Sequence, residues 1–169
     1  MRHRYLIALG SNQRHARHGP PRKVVQAAVA ALGGKVEAIS PIIDSAPLGP
    51  SRRRYANAAV VVRSKRDPQH MLAKLKRIER NFGRKPRGPR WGPRVLDLDI
   101  ILWEGGMWSS PGVTVPHITF RSRSFVLGPA SAIAPKWRDP VSGLTLTQLH
   151  ARLTRSLTSP GPLLKRGAW

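Results

Sequence analysis

The sequence predicts an α+β protein: an antiparallel sheet with helices packed on one face, followed by further helices at the C-terminus. Three observations carry this. The apolar segments follow the order βαββαβ, both helices of that unit have start and stop signals, and no repeat, low-complexity block or linker interrupts the chain. A chain of 169 residues can build a real core but not two independent ones. One domain over residues 1–160 is expected, with 161–169 as a frayed C-terminal tail.

Residues 5–9 (YLIAL) are a short apolar run ended by Gly10, Ser11 and Asn12, a buried strand stopped by turn residues. Pro20 and Pro21 suit a helix start, where a missing N–H costs little, and Val24, Val25, Ala28, Ala31 and Leu32 follow at helical spacing up to Gly33 and Gly34. Residues 36–43 have strand character, 47–54 form a basic loop, and 55–62 (YANAAVVV) are a strongly β-branched strand. Asp67 and Pro68 start the second helix, in which Met71, Leu72, Leu75, Ile78 and Phe82 keep the period up to Gly83. Pro86, Pro89 and Pro93 each remove a backbone donor and fix φ, so 84–94 is a loop. Residues 95–102 form the next strand, Glu104, Gly105 and Gly106 a tight turn, and helices are expected over 123–132 and 146–157.

Composition narrows the function classes. Thirty Lys and Arg against eight Asp and Glu give a net charge of +22, a surface that gathers phosphates, nucleic acid or acidic lipid, or that is simply solvated. The absence of cysteine excludes disulfide frameworks, thiolate metal sites and a cysteine nucleophile, and the six histidines include no H-x-x-x-H pair. The apolar run behind Arg2 and Arg4 is shorter than a signal-peptide core. No stretch nears the ~18 apolar residues of a membrane span, so a soluble, cytoplasmic protein is expected.

The richest chemistry lies in residues 95–102 (VLDLDIIL). On a strand, Asp97 and Asp99 project to one side, about 7 Å apart, with Leu96, Leu98, Ile100 and Leu102 behind them. Two carboxylates facing one place repel unless a cation neutralises them, and hard oxygen donors suit Mg²⁺ bridging substrate phosphates. A strand with one wet face has the same pattern. The adjoining loop adds Arg84, Lys85, Arg87, Arg90 and Arg94 among Gly83, Gly88 and Gly92, with Trp91 before the strand. Guanidinium forks there suit polyphosphate. The loop is not a P-loop, since Pro89 stands where the lysine belongs and Pro86 lacks the N–H.

Two further groups stand out. Ser45, Pro47 and Leu48 lead towards Tyr55 and Asn57, whose amide can address a heterocycle edge while an aromatic ring stacks on its face; a Gly/Pro turn into a strand reads the same way. His117, Arg123 and Phe125 form the other group, where a lone histidine is also an ordinary surface or packing residue.

Taken in order, A-L-G-S-N at 8–12, A-P-L-G-P at 46–50, Y-A-N-A-A-V at 55–60, R-W-G-P-R-V-L-D-L-D-I at 90–100 and V-P-H at 115–117 resemble the hydroxymethyldihydropterin pyrophosphokinases of folate biosynthesis. The resemblance implies a ferredoxin-like fold and an ATP-dependent diphosphokinase. In that reaction ATP gives its β,γ-pyrophosphoryl group to the hydroxymethyl oxygen of 6-hydroxymethyl-7,8-dihydropterin and leaves as AMP. It implies that Asp97 and Asp99 hold two Mg²⁺ and, with Arg84 and Arg94 on the phosphates, form the catalytic set. Glu79, Arg87, Arg90, Ile100, Thr114, His117 and Arg123 would surround ATP. Ser45, Pro47, Leu48, Tyr55, Asn57, Trp91 and Phe125 would surround the pterin. The sequence departs from the family pattern at Lys76, Pro86, Gly112 and Ile118. A monomer acting on small molecules is expected, with no membrane partner and nucleic acid bound only non-specifically; the alternative is a degenerate scaffold that serves as a basic nucleic-acid-binding protein.

Overall fold

The structure, a computed structural model, describes residues 1–47, 52–83 and 94–158. Its strands are β1 (His3–Ser11), β2 (Lys35–Ile39), β3 (Ile43–Ser45), β4 (Tyr55–Ser64), β5 (Asp97–Trp103), β6 (Trp108–Ser110) and β7 (Val113–Val115). Its helices are α1 (Pro21–Leu32), α2 (Pro68–Asn81), α3 (Ser124–Ile133) and α4 (Leu146–Thr158), with a 3₁₀ turn at Phe120–Ser122. The expected 161–169 tail lies outside the described residues. Among the described residues no helix is long and apolar enough to cross a membrane.

The main sheet runs β2-β4-β1-β5, every pairing antiparallel, with β3 beside the start of β4. This is the ferredoxin-like order. α1 buries Val24, Val25, Ala28 and Leu32 against one sheet face, beside Met71, Leu75 and Ile78 of α2. Asp67 caps α2 by accepting from His70 N at 2.8 Å.

The helices do not all share one face. α3 and α4 bury Val126, Leu127, Ala130, Leu146 and Leu149 against Leu6, Ala59, Val61 and Leu102 on the opposite side. β4, at the centre of the sheet, is buried on both faces, and the C-terminal apolar stripes need that second surface.

The expected strand over 36–43 is two strands. Between them Pro41 lacks an N–H, and Ser40 is bound instead to Ala59: its N donates to Ala59 O at 2.9 Å and its Oγ accepts from Ala59 N at 2.8 Å.

β5 also departs from simple alternation. Leu6 pairs with Leu102 but Ile7 pairs with Ile100, which leaves Ile101 as the extra residue of a β-bulge. Leu96, Leu98 and Ile100 therefore pack behind the aspartates as expected, whereas Leu102 joins the α3/α4 side.

Candidate active site

Strand register builds the site. Gly10 pairs with Asn57 on one side and with Asp97 on the other; Ala8 pairs with Ala59 and with Asp99. Directly paired residues share a face, so two small side chains on β1 form a floor between an amide wall and a carboxylate wall. A Cβ on Gly10 would stand 3.3 Å from Asn57 Oδ1, so glycine lets the amide approach the central strand.

The bulge at Ile101 decides what faces this floor. With uninterrupted pairing from Leu6–Leu102, Ile100 and Leu98 would oppose Ala8 and Gly10, and both aspartates would enter the core. The bulge also places a third group: Ile101 O accepts from His117 N at 3.0 Å, which brings the imidazole Nε2 to 3.9 Å from Asp99 Oδ2.

Over the floor lies a cavity of about 240 Å³. Tyr55, Asn57 and Ser45 line one side; Asn57 Nδ2 donates to Ser45 Oγ at 2.6 Å. Arg94, Asp97, Asp99 and His117 line the other, and Arg94 Nη1 donates to Asp97 Oδ1 at 3.1 Å. Arg123, Phe125 and Val126 border it from the start of α3. Arg123 occupies the N-cap position, its carbonyl accepting from Val126 and Leu127 N, and its guanidinium carbon lies 5.9 Å from the Phe125 ring centre.

The electrostatics follow from this crowding. Burial, and then the neighbouring Asp97, push the Asp99 carboxyl up to about 6, against the pull of Lys76, Arg123 and Arg94. Burial and the Arg123 charge hold His117 below the usual imidazole range, so the ring is neutral at pH 7. Thr119 N donates to His117 Nδ1 at 3.3 Å, which leaves the ring proton on Nε2, the nitrogen nearer Asp99. Burial and Asp97 raise the Tyr55 hydroxyl, which stays protonated.

The donor set fits a hard divalent cation. Asp97 and Asp99 offer only oxygen, and their mutual repulsion is relieved by positive charge between them. Among the described residues no cluster of three His, Cys, Asp or Glu forms a protein cage; a cation held by Asp97 and Asp99 would draw its other ligands from a bound molecule and water, as Mg²⁺ commonly does.

Of the residues singled out from the sequence, Ser45, Tyr55, Asn57, Arg94, Asp97, Asp99, His117, Arg123 and Phe125 meet at this cavity. Four do not line it. Glu79 is fully buried beneath β5, where it accepts from Leu98 N at 2.8 Å and pairs with Lys76 Nζ at 3.1 Å. It holds the strand that bears the aspartates. Ile100 lies in the α1/α2 core because the bulge turns it there, Thr114 is exposed on β7, and Pro47 is half-buried outside the cavity. Leu48, Arg84, Arg87, Arg90 and Trp91 lie outside the described residues. Sequence reasoning missed Ala8 and Gly10 as the floor, although small residues at alternate positions of a strand are the signal for it.

A ferredoxin-like α+β fold with paired carboxylates and guanidiniums opposite an amide-and-aromatic wall defines a class of protein whose one wall suits a cation and an anion and whose other suits a flat polar ring. Residues 6–135 match the family described as 7,8-dihydro-6-hydroxymethylpterin-pyrophosphokinase (HPPK), and the chain belongs to that family. Its relatives include 2-amino-4-hydroxy-6-hydroxymethyldihydropteridine pyrophosphokinases. That of Pseudomonas aeruginosa is 39% identical over 153 residues, covering 88% of this chain and 90% of the relative. That of Synechocystis sp. is 38% identical over 151 residues, covering 87% and 74%. Among solved structures, the Plasmodium falciparum HPPK-DHPS crystallised with pteroate shares the fold with a TM-score of 0.72 at 12% identity. The match covers 93% of this chain but only 45% of that longer one.

Proposed function

We propose that the protein transfers the pyrophosphoryl group of ATP to the hydroxymethyl oxygen of 6-hydroxymethyl-7,8-dihydropterin and releases AMP, acting as a cytoplasmic monomer in folate biosynthesis. The observation that carries this reading is the row Asn57–Gly10–Asp97. It sets a heterocycle-reading amide and a carboxylate on opposite sides of one floor, two strand spacings or roughly 10 Å apart. A flat bicyclic ring fits between them, with its hydroxymethyl arm directed at the charged wall.

The chain's own groups then have separate tasks. Asn57, set by Ser45, orients the ring edge, while Tyr55 and Phe125 supply apolar surface for its faces. Arg94 and Arg123 offset the charge that builds on the phosphate oxygens, and neutral His117 offers its Nε2–H to one of them. By resemblance Arg84, Arg87 and Arg90 join the phosphate set, and Leu48 and Trp91 the pterin set. Asp97 and Asp99 are the residues that would hold Mg²⁺, two ions by resemblance; when bound, the metal neutralises the phosphate chain and orients it.

The direct test incubates the pure protein with the dihydropterin alcohol, ATP and Mg²⁺. AMP and the pterin pyrophosphate should appear in equal amounts. Production of ADP, or no AMP, would overturn the assignment.

A further inference from the structure

The end of the sheet away from the active site carries a second recess, of about 560 Å³, where β1 and α2 begin and α1 and β4 end. Six of its eleven lining residues are Lys or Arg and none is acidic: Arg2, Lys35, Arg63, Lys65, Arg66 and Lys74. Two of these cations are engaged. Arg63 Nε donates to Glu37 Oε1 at 2.6 Å, and Lys74 Nζ donates to Leu32 O at the end of α1. The side chains of Arg2, Lys35, Lys65 and Arg66 meet no carboxylate among the described residues.

Like charges are brought together here. Lys35 and Arg63 are cross-strand partners, and like charges directly opposite each other destabilise a sheet. Lys74, partly buried beside them, has its ammonium held below the usual lysine range, first by burial and then by the charges of Arg66 and Arg77. The rim is nevertheless fixed. Tyr5 OH donates to Arg66 O at 2.5 Å, and Arg66 N donates to Ser64 Oγ at 3.1 Å, which pins the turn that carries Lys65 and Arg66. Gly33 and Gly34 take positive φ at the end of α1 and leave one wall free of side chains.

We propose that this recess is a second anion site that takes a linear oligophosphate, either free or as the tail of a nucleotide. Its cations come from the N-terminal segment, β2, the β4–α2 turn and α2, so they are spread around the recess rather than focused on one point. Several linked phosphates use such a spread, and a single phosphate does not. The surface is concave, which suits a chain that enters it and not a flat bilayer. The proposal is independent of the reaction assigned to the Asp97 and Asp99 cavity, which lies at the opposite end of the same strands.

The test follows backbone amide shifts of the isotope-labelled full chain during titration with inorganic triphosphate at constant ionic strength, without Mg²⁺. Saturable shifts are expected at Gly33, Gly34, Lys65 and Arg66. Combined Lys65→Ala and Arg66→Ala substitution should weaken that binding about tenfold or more, as expected from loss of two charge-assisted contacts, while pterin-dependent AMP release is unchanged. ATP shifting the same amides equally well would identify a nucleotide tail as the ligand, and triphosphate alone would identify a free oligophosphate; both uphold the site. Shifts confined to residues around Asp97, or shifts that grow without saturating, would overturn it. Saturable binding of a short RNA there that triphosphate does not displace would overturn it in favour of nucleic acid. The wild-type map decides the matter even if the double variant fails to fold.

Discussion

Asn12 and Arg94 hold each other by two hydrogen bonds: Asn12 N donates to Arg94 O at 3.2 Å, and Arg94 N donates to Asn12 Oδ1 at 2.8 Å. The clasp ties the end of β1 to the approach to β5, and Arg94 then reaches Asp97. Asn12→Ala leaves a partly buried N–H without its acceptor, at a cost of about 1–3 kcal/mol in stability. It also frees the guanidinium that neutralises the phosphate chain, so kcat should fall more than the KM for the pterin rises. Asn12→Asp keeps the acceptor oxygen but buries a carboxylate where Asn12 Nδ2 already lacks a partner, so it should not recover the stability at pH 7. Steady-state kinetics and denaturant titration check this; an alanine variant with wild-type kcat would contradict it.

Removing one carboxylate separates activity from stability. Asp97→Asn takes away a cation ligand but also relieves the repulsion that burdens Asp99. Turnover should drop about a hundredfold or more, while the melting temperature stays level or rises. Wild-type protein should be stabilised by added Mg²⁺ in a thermal melt, and the variant much less. Equal stabilisation of both proteins would mean that the ion binds elsewhere.

Gly10 keeps the floor low enough for Asn57. In Gly10→Ala the new methyl meets Asn57 Oδ1 at 3.3 Å, so the amide must give way and the ring-reading wall moves. Displacement of a packed group costs roughly 1 kcal/mol, enough to raise the KM for the pterin several-fold. Stability should change little, because Gly10 does not need a positive φ and alanine gains about 0.5–1 kcal/mol over glycine within a strand. A variant with unaltered pterin KM would show that Asn57 does not set the ring.

The limits of sequence reading lie in long-range packing. Residues 95–102 alternate cleanly, so the shared face of Asp97 and Asp99 was legible, as was the Asp67 cap, while the loop expected over 84–94 lies, but for Arg94, outside the described residues. The bulge at Ile101 was not. Val95 to Leu102 contains neither Gly nor Pro to mark it, and it exists because β5 must offer Leu98 to one core and Leu102 to the other. The same cause hid the second helical layer: periodicity shows that α3 and α4 have apolar stripes but not which sheet face receives them. Asn12 read as a plain turn residue because its partner, Arg94, lies 82 positions away. The ATP-site role that the resemblance gave Glu79 likewise gave no sign that its carboxylate would accept a backbone N–H of β5.

Acid stability should depend on Asp139. This carboxylate is fully buried, and burial alone would raise it. Two bonds from Arg121 at 2.7 Å, one from Ser142 Oγ at 2.6 Å and the N–H of Val141 outweigh burial and hold the group down to about 2. The folded value lies below the unfolded one, so the native state binds its proton later. The stabilisation is therefore complete above pH 4 and disappears as the pH falls from about 4 to about 2. A depression of nearly two units corresponds to roughly 2 kcal/mol. Asp139→Asn leaves Arg121 facing a neutral amide and should cost about 3 kcal/mol at pH 7. Denaturant titrations of both proteins across this range should converge at low pH, because wild type loses there what the variant never had. A gap that stayed constant down to pH 2 would mean that the carboxylate's charge contributes nothing, and that the variant's defect is one of shape.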